Sequence, residues 1–451
     1  MIDLIKDNES FTLFIGELAN VGDVIILPIA EYKDKHSTIN RISFIYFYFI
    51  STKLEYILPF NHPDCDNLSV KEFSILLNEI KTFKNKIYVY NKKSTIALLQ
   101  TFNLIDVESM EYYKYGTLKT NLKIYNNIVN FFKKKFNEKI KLNLVIPLLK
   151  HFEYLTELKN KLISIIDDCK DILDESGFKN INDISINTFA TMEANGIYVN
   201  KLFKNGVLVN DNYVYSDYNL FTMTGRPSSN GFNFISLNKK NGDRKPFVSR
   251  FGNNGRLIYM DYRARHIYLI SNIIDEKFET DPYTDFGKVF FGKDVLTDEE
   301  YAESKKVTFN VMYGGIPDEF KVIPFFEKTK KYMMELHHAY EVDGFITTPL
   351  FKKKLYKNTL GKLKPSKLFN YYFQAVETEY GIEAMSKILK VLKENKYDSK
   401  MILYIYDGFL IDFKLSDGVD AREKIKNALT KDNLYPISTY FGSNYHNLVK
   451  V

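Results

Sequence analysis

Two apolar runs, each carrying an aspartate at or near its end, constrain this chain more than any other feature. They are Leu257-Ile258-Tyr259-Met260-Asp261-Tyr262 and Tyr404-Ile405-Tyr406-Asp407-Gly408-Phe409-Leu410-Ile411-Asp412. Both read as buried strands, and the period of two puts Leu257, Tyr259 and Asp261 on one face of the first. Asp407-Gly408 between apolar residues is a tight-hairpin signal. Two strands that each place an Asp at an open edge make a site for divalent cations. Mg²⁺ is usually held by one or two carboxylates plus substrate phosphates. Two such ions about 3.5–4 Å apart clamp the attacking and leaving oxygens of an in-line phosphoryl displacement. Aspartate is also an ordinary turn residue, so the pair gains its meaning from what lies between its members.

A helix is expected from Asp298 to Tyr313. Thr297 and Glu300 have capping-box spacing at its start, and Gly314-Gly315 with Pro317 closes it. Within it Lys305, Phe309 and Tyr313 recur at spacing four and share one stripe, a cation, a flat ring and a phenol. Such a stripe holds a triphosphate on the lysine and stacks a base or sugar on the rings. Its plainer alternative is a core-facing stripe with a snorkelling lysine.

Taken in order, these segments resemble the family A DNA polymerases, the group that includes bacterial DNA polymerase I and many phage replicases. Thr224-Gly225-Arg226 resembles the family's Thr-Gly-Arg segment, Met260-Asp261-Tyr262 its motif A, and Lys305 to Gly314 its motif B on the mobile fingers helix. Asn370 and Gln374 are similar to its minor-groove pair, and Tyr404 to Asp407 to motif C. The resemblance runs from about Asn195 to Val451. It implies an α+β chain with a right-hand polymerase fold: an antiparallel palm sheet bearing Asp261 and Asp407, and helical fingers from about Ile274 to Gly361 with a helical thumb.

The implied chemistry is attack of a primer 3′-hydroxyl on the α-phosphate of a dNTP, with two Mg²⁺ ions held by Asp261 and Asp407. The resemblance also puts Tyr262 at the metal site and in the nucleotide pocket. Lys305 takes the triphosphate, Phe309 packs on the incoming sugar and Tyr313 lies beneath the nascent base pair. Tyr283, Tyr301 and His266 complete the nucleotide contacts, while Thr224, Arg226, Asn370, Gln374 and Tyr406 contact DNA. Asn370 and Gln374, one turn apart, offer amides to minor-groove acceptors that all base pairs share.

Departures from the family pattern are specific. Five residues after the motif A Asp the family carries a Glu that closes the pocket to a ribose 2′-hydroxyl, and this chain has His266, which leaves sugar selectivity open. Four residues before Lys305 the family's triphosphate Arg is Tyr301. Its Asp-x-His-Thr segment is here Asp281-Pro282-Tyr283-Thr284, and its His-Asp-Glu of motif C is Tyr406-Asp407-Gly408.

Residues 1–117 resemble the ribonuclease H-like α/β domain, a 3′–5′ exonuclease, that precedes the polymerase in this family. Strands are expected at Phe11 to Pro28, Arg41 to Pro59 and Lys86 to Tyr90. Phe14 to Glu17 stands in the place of the family's Asp-x-Glu, and Asn91 to Thr95 in that of its Asn-x3-Asp. A degenerate, structural exonuclease domain without proofreading follows. Residues 118–193 read as a Lys-rich helical connector or thumb-like segment, and 194–451 as palm and fingers. Asn195-Gly196 precedes Thr224 by only 28 residues, short for the long helical pair of the family's thumb, so either the thumb is reduced or the preceding helices take its role.

At 451 residues the chain has room for two or three domains. Its net charge of +6 is mild, but lysine clusters at 133–135, 239–240, 305–306 and 352–354 suit phosphate tracking. Cys65 and Cys169 make neither a disulfide framework nor a zinc site. With no signal peptide at Met1 and no span longer than Ile42 to Ile50, a cytoplasmic enzyme is expected, in a phage-infected host. Expected partners are primer-template DNA and dNTPs, with phage replication proteins or a processivity factor, and no membrane. The alternatives are a single-subunit RNA polymerase-like enzyme with relaxed sugar selection and a catalytically silent DNA-binding replication subunit.

Overall fold

The computed structural model describes residues 2–31, 36–120, 122, 148–200, 212–230, 232–278, 280–430 and 434–451. The backbone groups into two units, Met1–Ala194 and Asn195–Val451. The lysine run 133–135 and most of the connector up to residue 147 lie outside the described residues.

In the first unit a six-stranded sheet is built from β1 (Ile2–Leu4), β2 (Val24–Ala30), β3 (Ile42–Phe49), β4 (Glu55–Pro59), β5 (Ile87–Val89) and β6 (Ile105–Asp106), in the order β1-β4-β3-β2-β5-β6. The meander β2-β3-β4 is antiparallel, whereas β5 and β6 add in parallel on the other side of β2. This mixed sheet gives the first unit an α/β layout. Helices α1 (Asn8–Asn20), α2 (Val70–Thr82) and α3 (Lys92–Leu99) connect strands, α4 (Val107–Tyr115) follows β6, and α5 (Leu148–Cys169) and α6 (Ile186–Ala194) complete the unit.

The strand expected from Phe11 to Pro28 is helix in its first half. Asp7 caps α1 by accepting from the Ser10 amide, and Phe11, Phe14 and Leu18 recur at helical spacing and are buried. Phe14 to Glu17 therefore lies on a helix, and the true strand, β2, carries no acid. On the same sheet Glu55 is engaged by the Tyr46 hydroxyl and Lys159, at 2.7 and 2.6 Å. Asp106 is buried, with the backbone amides of Lys92 and Ser109 donating to it.

The second unit is organised on a five-stranded antiparallel sheet of β7 (Gly255–Tyr262), β8 (Lys400–Ile405), β9 (Gly408–Lys414), β10 (Ile437–Gly442) and β11 (Val449–Lys450), ordered β8-β9-β7-β10-β11. β7 is central, and Leu257, Ile258, Met260, Phe409, Leu410 and Ile411 fill its core. Around it are α7 (Arg265–Ile273), α8 (Pro282–Phe291), α9 (Asp298–Gly314), α10 (Pro324–Val342), α11 (Pro365–Glu394) and α12 (Gly418–Thr430). Phe278, Phe286, Phe290, Phe325 and Phe326 pack against one another beneath α8 and α10. Between Gly196 and Thr224 the described ends carry a short strand pair, Ile197–Tyr198 against Tyr213–Val214, where a helical pair would be the family's pattern. No helix among the described residues is long and apolar enough to cross a membrane.

Candidate active site

β7 and β9 run antiparallel with Asp261 opposite Gly408, and the Tyr262 amide donates to the Asp407 carbonyl at 3.0 Å. The two aspartates are thus neighbours across one strand pair. The hairpin turn is Tyr406-Asp407, one residue earlier than the sequence signal, because Ile405 pairs with Gly408 and makes Gly408 the first residue of β9. Tyr406 pays for this with a left-handed φ of 57°, a conformation that costs a non-glycine residue on the order of 1–3 kcal/mol and concentrates at functional sites.

Burial, then the negative charge of Asp407, pushes the Asp261 carboxyl up to about 7. The Asp407 carboxyl is raised by burial and then by the nearby Glu377. Two carboxylates that resist ionising side by side are what a divalent cation relieves. The donor set fits Mg²⁺, which needs only one or two carboxylates when substrate phosphates supply further oxygens. Among the described residues no group of three or more His, Cys, Asp or Glu forms a closed metal cage.

Tyr259 lies two residues before Asp261 on the same face, and its hydroxyl donates to Asp261 Oδ1 at 3.1 Å. Tyr262 points the other way. Its buried ring lies under the Arg265 guanidinium at 3.5 Å, and its hydroxyl donates to the Leu429 carbonyl at 2.9 Å. Its side chain therefore lies away from Asp261 and not among the metal and nucleotide contacts expected of it, because strand alternation sends it to the opposite face.

The stripe on α9 forms as its spacing requires. Thr297 and Glu300 make the capping box, and Gly315 closes the helix at φ 111°. Phe309 and Tyr313 stack with centroids 6.1 Å apart at 19°. Tyr283 on α8 continues the row, 6.2 Å from Phe309 and 6.1 Å from Tyr301, with the Lys305 ammonium 5.6 Å from its ring centre. Lys305 also lowers the Asp261 carboxyl electrostatically, so the cation of the stripe faces the carboxylate edge.

His266, in the first turn of α7, joins these elements. Its Nδ1 is hydrogen-bonded to the Tyr313 hydroxyl, and its Nε2 lies 3.1 Å from Glu377 Oε1 on α11. Burial opposes the Glu377 charge, yet His266, Arg226 and Arg265 together hold its carboxyl below the ordinary range. Arg226 reaches the same carboxylate at 4.0 Å, and its guanidinium lies 3.6 Å from the Tyr406 ring centre.

Arg226 is presented by a tight turn. Gly225 has φ 79°, its amide donates to the Thr222 carbonyl at 3.0 Å, and the Thr222 hydroxyl donates to the Arg226 carbonyl at 2.9 Å. Buried Lys353 clasps this turn from below, donating to the Thr222 and Met223 carbonyls at 3.3 and 3.2 Å. Thr224 sits at its half-buried tip. On α11, Gln374 Nε2 donates to Asn370 Oδ1 at 3.1 Å, so the two amides form one half-buried face.

Sequence reasoning did not single out Glu377 or the role of Tyr259, and it read Lys353 as part of a phosphate-tracking cluster, whereas Lys353 is buried and donates to backbone carbonyls of the Arg226 turn. Glu377 follows Gln374 by three residues and so continues that helix face. Tyr259 shares the period-two face of Asp261, and only the packing against Gly408 reveals its use.

No family model matches the sequence. Over 244 residues the chain is 26% identical to DNA polymerase I of Caldicellulosiruptor bescii, a match covering 46% of this chain and 28% of that protein. The chain thus spans little more than a quarter of the length of the curated relative it matches. Among solved structures, the POL domain of Pol1 from M. smegmatis, in complex with DNA primer-template and dNTP, superposes with a TM-score of 0.74. That match has 12% identity and covers 99% of this chain and 100% of that one, a likeness of fold. The chain is thus similar in sequence, over part of its length, to a DNA polymerase I, and similar in fold to a polymerase domain.

Proposed function

We propose that this chain is a DNA-templated DNA polymerase that adds dNTPs to a primer 3′-hydroxyl. The observation that carries the reading is the convergence of Asp261, Asp407 and Lys305 on one edge of the sheet, with the ring row of Tyr283, Phe309 and Tyr313 leading away from it. Asp261 and Asp407 would hold divalent cations, with Mg²⁺ the best fit to two carboxylates and phosphate oxygens, and these ions would supply acidification of the primer hydroxyl and charge neutralisation on the triphosphate. Lys305 binds the triphosphate and orients it toward the carboxylate edge. Phe309 and Tyr313 stack on sugar and base, and they exclude water from that side. Arg226, Tyr406, Asn370 and Gln374 present cationic and amide donors to the primer-template.

Several finer readings accompany this. The first unit is a structural exonuclease-like domain without proofreading, supported by a β2 strand free of acids and by the engagement of Glu55 and Asp106. The domain limits are best put near 117 and 193, with 194–451 as palm and fingers. A place in phage replication rests on the resemblance to phage replicases alone.

The test is extension of a labelled primer on a DNA template with Mg²⁺, comparing dNTPs with rNTPs, and wild type with Asp407→Ala. Extension with dNTPs that disappears in the variant supports the reading. No extension with either nucleotide refutes it, and equal use of rNTPs replaces it with an RNA polymerase-like activity. Mg²⁺-dependent 3′ degradation by wild type would overturn the absence of proofreading.

A further inference from the structure

Glu377 is a buried carboxylate next to the proposed site that the chemistry above leaves without a task. It is 6% exposed, and burying an ionised carboxylate is costly unless it is fully partnered. Its partners are drawn from three separate segments: His266 at 3.1 Å, Arg226 at 4.0 Å, and Tyr313 through the His266 ring. The whole chain Tyr313, His266, Glu377 ties α9 to α7 and α11.

Both ring nitrogens in this chain are engaged. Burial raises the Tyr313 phenol, so its O–H stays protonated. His266 Nδ1 pairs with that hydroxyl and His266 Nε2 with the Glu377 carboxylate. The imidazole is thereby held in one orientation. Without Glu377 the ring is free to turn about its side-chain torsions and the order of the chain is lost.

Position along α9 says what the locked ring faces. With a triphosphate on Lys305, the eight residues to Tyr313 carry the stripe roughly 12 Å at about 1.5 Å per residue. A nucleotide laid along the stripe therefore has its sugar over Phe309 and its base toward Tyr313. His266 touches Tyr313 and lies in the first turn of the helix that follows the Asp261 strand, so it stands beside the row where the sugar gives way to the base.

Resting on the polymerase reading, we propose that Glu377 is the positioning residue for sugar discrimination, holding the His266 ring against the place where a 2′-hydroxyl would enter. Glu377 does not touch the nucleotide; it acts through His266. The carboxylate is supplied by α11, one turn beyond Gln374, and not by the strand-to-helix segment that carries His266.

Single-nucleotide extension with dNTP and with rNTP, giving kcat and KM for each, tests this on the full chain with E377Q, His266→Ala and the double variant. The expected result is a fall of about tenfold or more in the dNTP-to-rNTP ratio of kcat/KM for E377Q, carried by a lower rNTP KM. His266→Ala should lower the ratio by a similar factor, and the double variant should lower it no further. An unchanged ratio in E377Q, with wild type active, overturns the proposal and leaves the polymerase reading standing. Should E377Q lose extension altogether, His266→Ala decides: a lowered ratio supports the proposal and an unchanged one overturns it. Absence of extension by the wild type sinks the polymerase reading and this inference with it.

Discussion

The Tyr259 hydroxyl occupies the space that a side chain on Gly408 would need: a Cβ built there would lie 2.0 Å from that oxygen and 2.4 Å from the ring carbon bearing it. The glycine that departs from the family's motif C and the tyrosine that supports Asp261 are therefore one substitution in space, although 149 positions separate them in the chain. Adding a methyl at 408 must displace the ring and with it the hydrogen bond to Asp261. Gly408→Ala should lower primer extension by about tenfold to a hundredfold, the loss of roughly 1–3 kcal/mol expected for an unmade buried hydrogen bond. Tyr259→Ala in that background should lower it no further, because the hydrogen bond is already lost. A Gly408→Ala enzyme with wild-type kcat/KM would mean that the ring yields freely.

How much of this was legible in the sequence follows from the range of each interaction. The capping box at Thr297 and Glu300, the stripe on α9 and the two Asp-bearing strands were readable because each depends on spacing within one element. Helix α1 was mistaken for strand because Phe11, Phe14 and Leu18 are embedded in a run apolar enough to suit either period, and Asp7 decides it only through its cap. The Tyr406-Asp407 turn was misplaced by one residue because pairing between β8 and β9, not the Asp-Gly dipeptide, sets the register. Glu377 and the buried role of Lys353 were invisible because their partners lie more than 100 residues away.

Lys305 stands between the carboxylate edge and the ring row, so its removal should weaken nucleotide use more than DNA binding. Lys305→Ala is expected to raise the dNTP KM and lower kcat, with a combined loss of about 10²–10⁴-fold in kcat/KM if it contacts charge that develops during transfer. Steady-state extension at varied dNTP, together with primer-template binding by anisotropy, separates these. An unchanged dNTP dependence would remove Lys305 from the triphosphate.

Asp412 provides a control on the same hairpin as Asp407. It is fully buried, accepts from Ser249 Oγ at 2.6 Å and from Arg250 Nε at 2.7 Å, and the other guanidinium nitrogens of Arg250 donate to the Asn195 and Gly196 carbonyls. Removing one partner of such a buried pair costs about 3–5 kcal/mol because the other charge is left uncompensated. Asp412→Ala should lower the unfolding midpoint sharply. Asp407→Ala, which relieves carboxylate repulsion, should leave it unchanged or raise it. Calorimetry giving equal losses for the two variants would make Asp407 a structural residue.

Glu379 gives the fold a pH dependence of calculable sign. It lies on α11, accepts from the Thr348 hydroxyl at 2.5 Å and from the Phe351 amide at 3.0 Å, and burial pushes its carboxyl up to about 7 from an ordinary 4.5. A group whose folded pKa is raised contributes stability that is full below its unfolded pKa and is lost as pH rises through the folded one. The Glu379 contribution is therefore present at pH 4.5 and gone above about 7. Lys353, lowered by burial to about 7 from 10.5, behaves in the opposite sense, its contribution present above 10.5 and lost as pH falls through about 7. The pair is consequently least favourable near neutrality. Glu379→Gln carries no charge, and the loss of one acceptor in it is a constant offset at every pH. Between about pH 5 and 7.5 the unfolding midpoint of this variant should rise relative to wild type by at least a few degrees, at about 2–4 °C per kcal/mol. A difference that stays flat across this window would mean that Glu379 ionises normally, drawn down by Lys353 into a charged pair beneath the Arg226 turn.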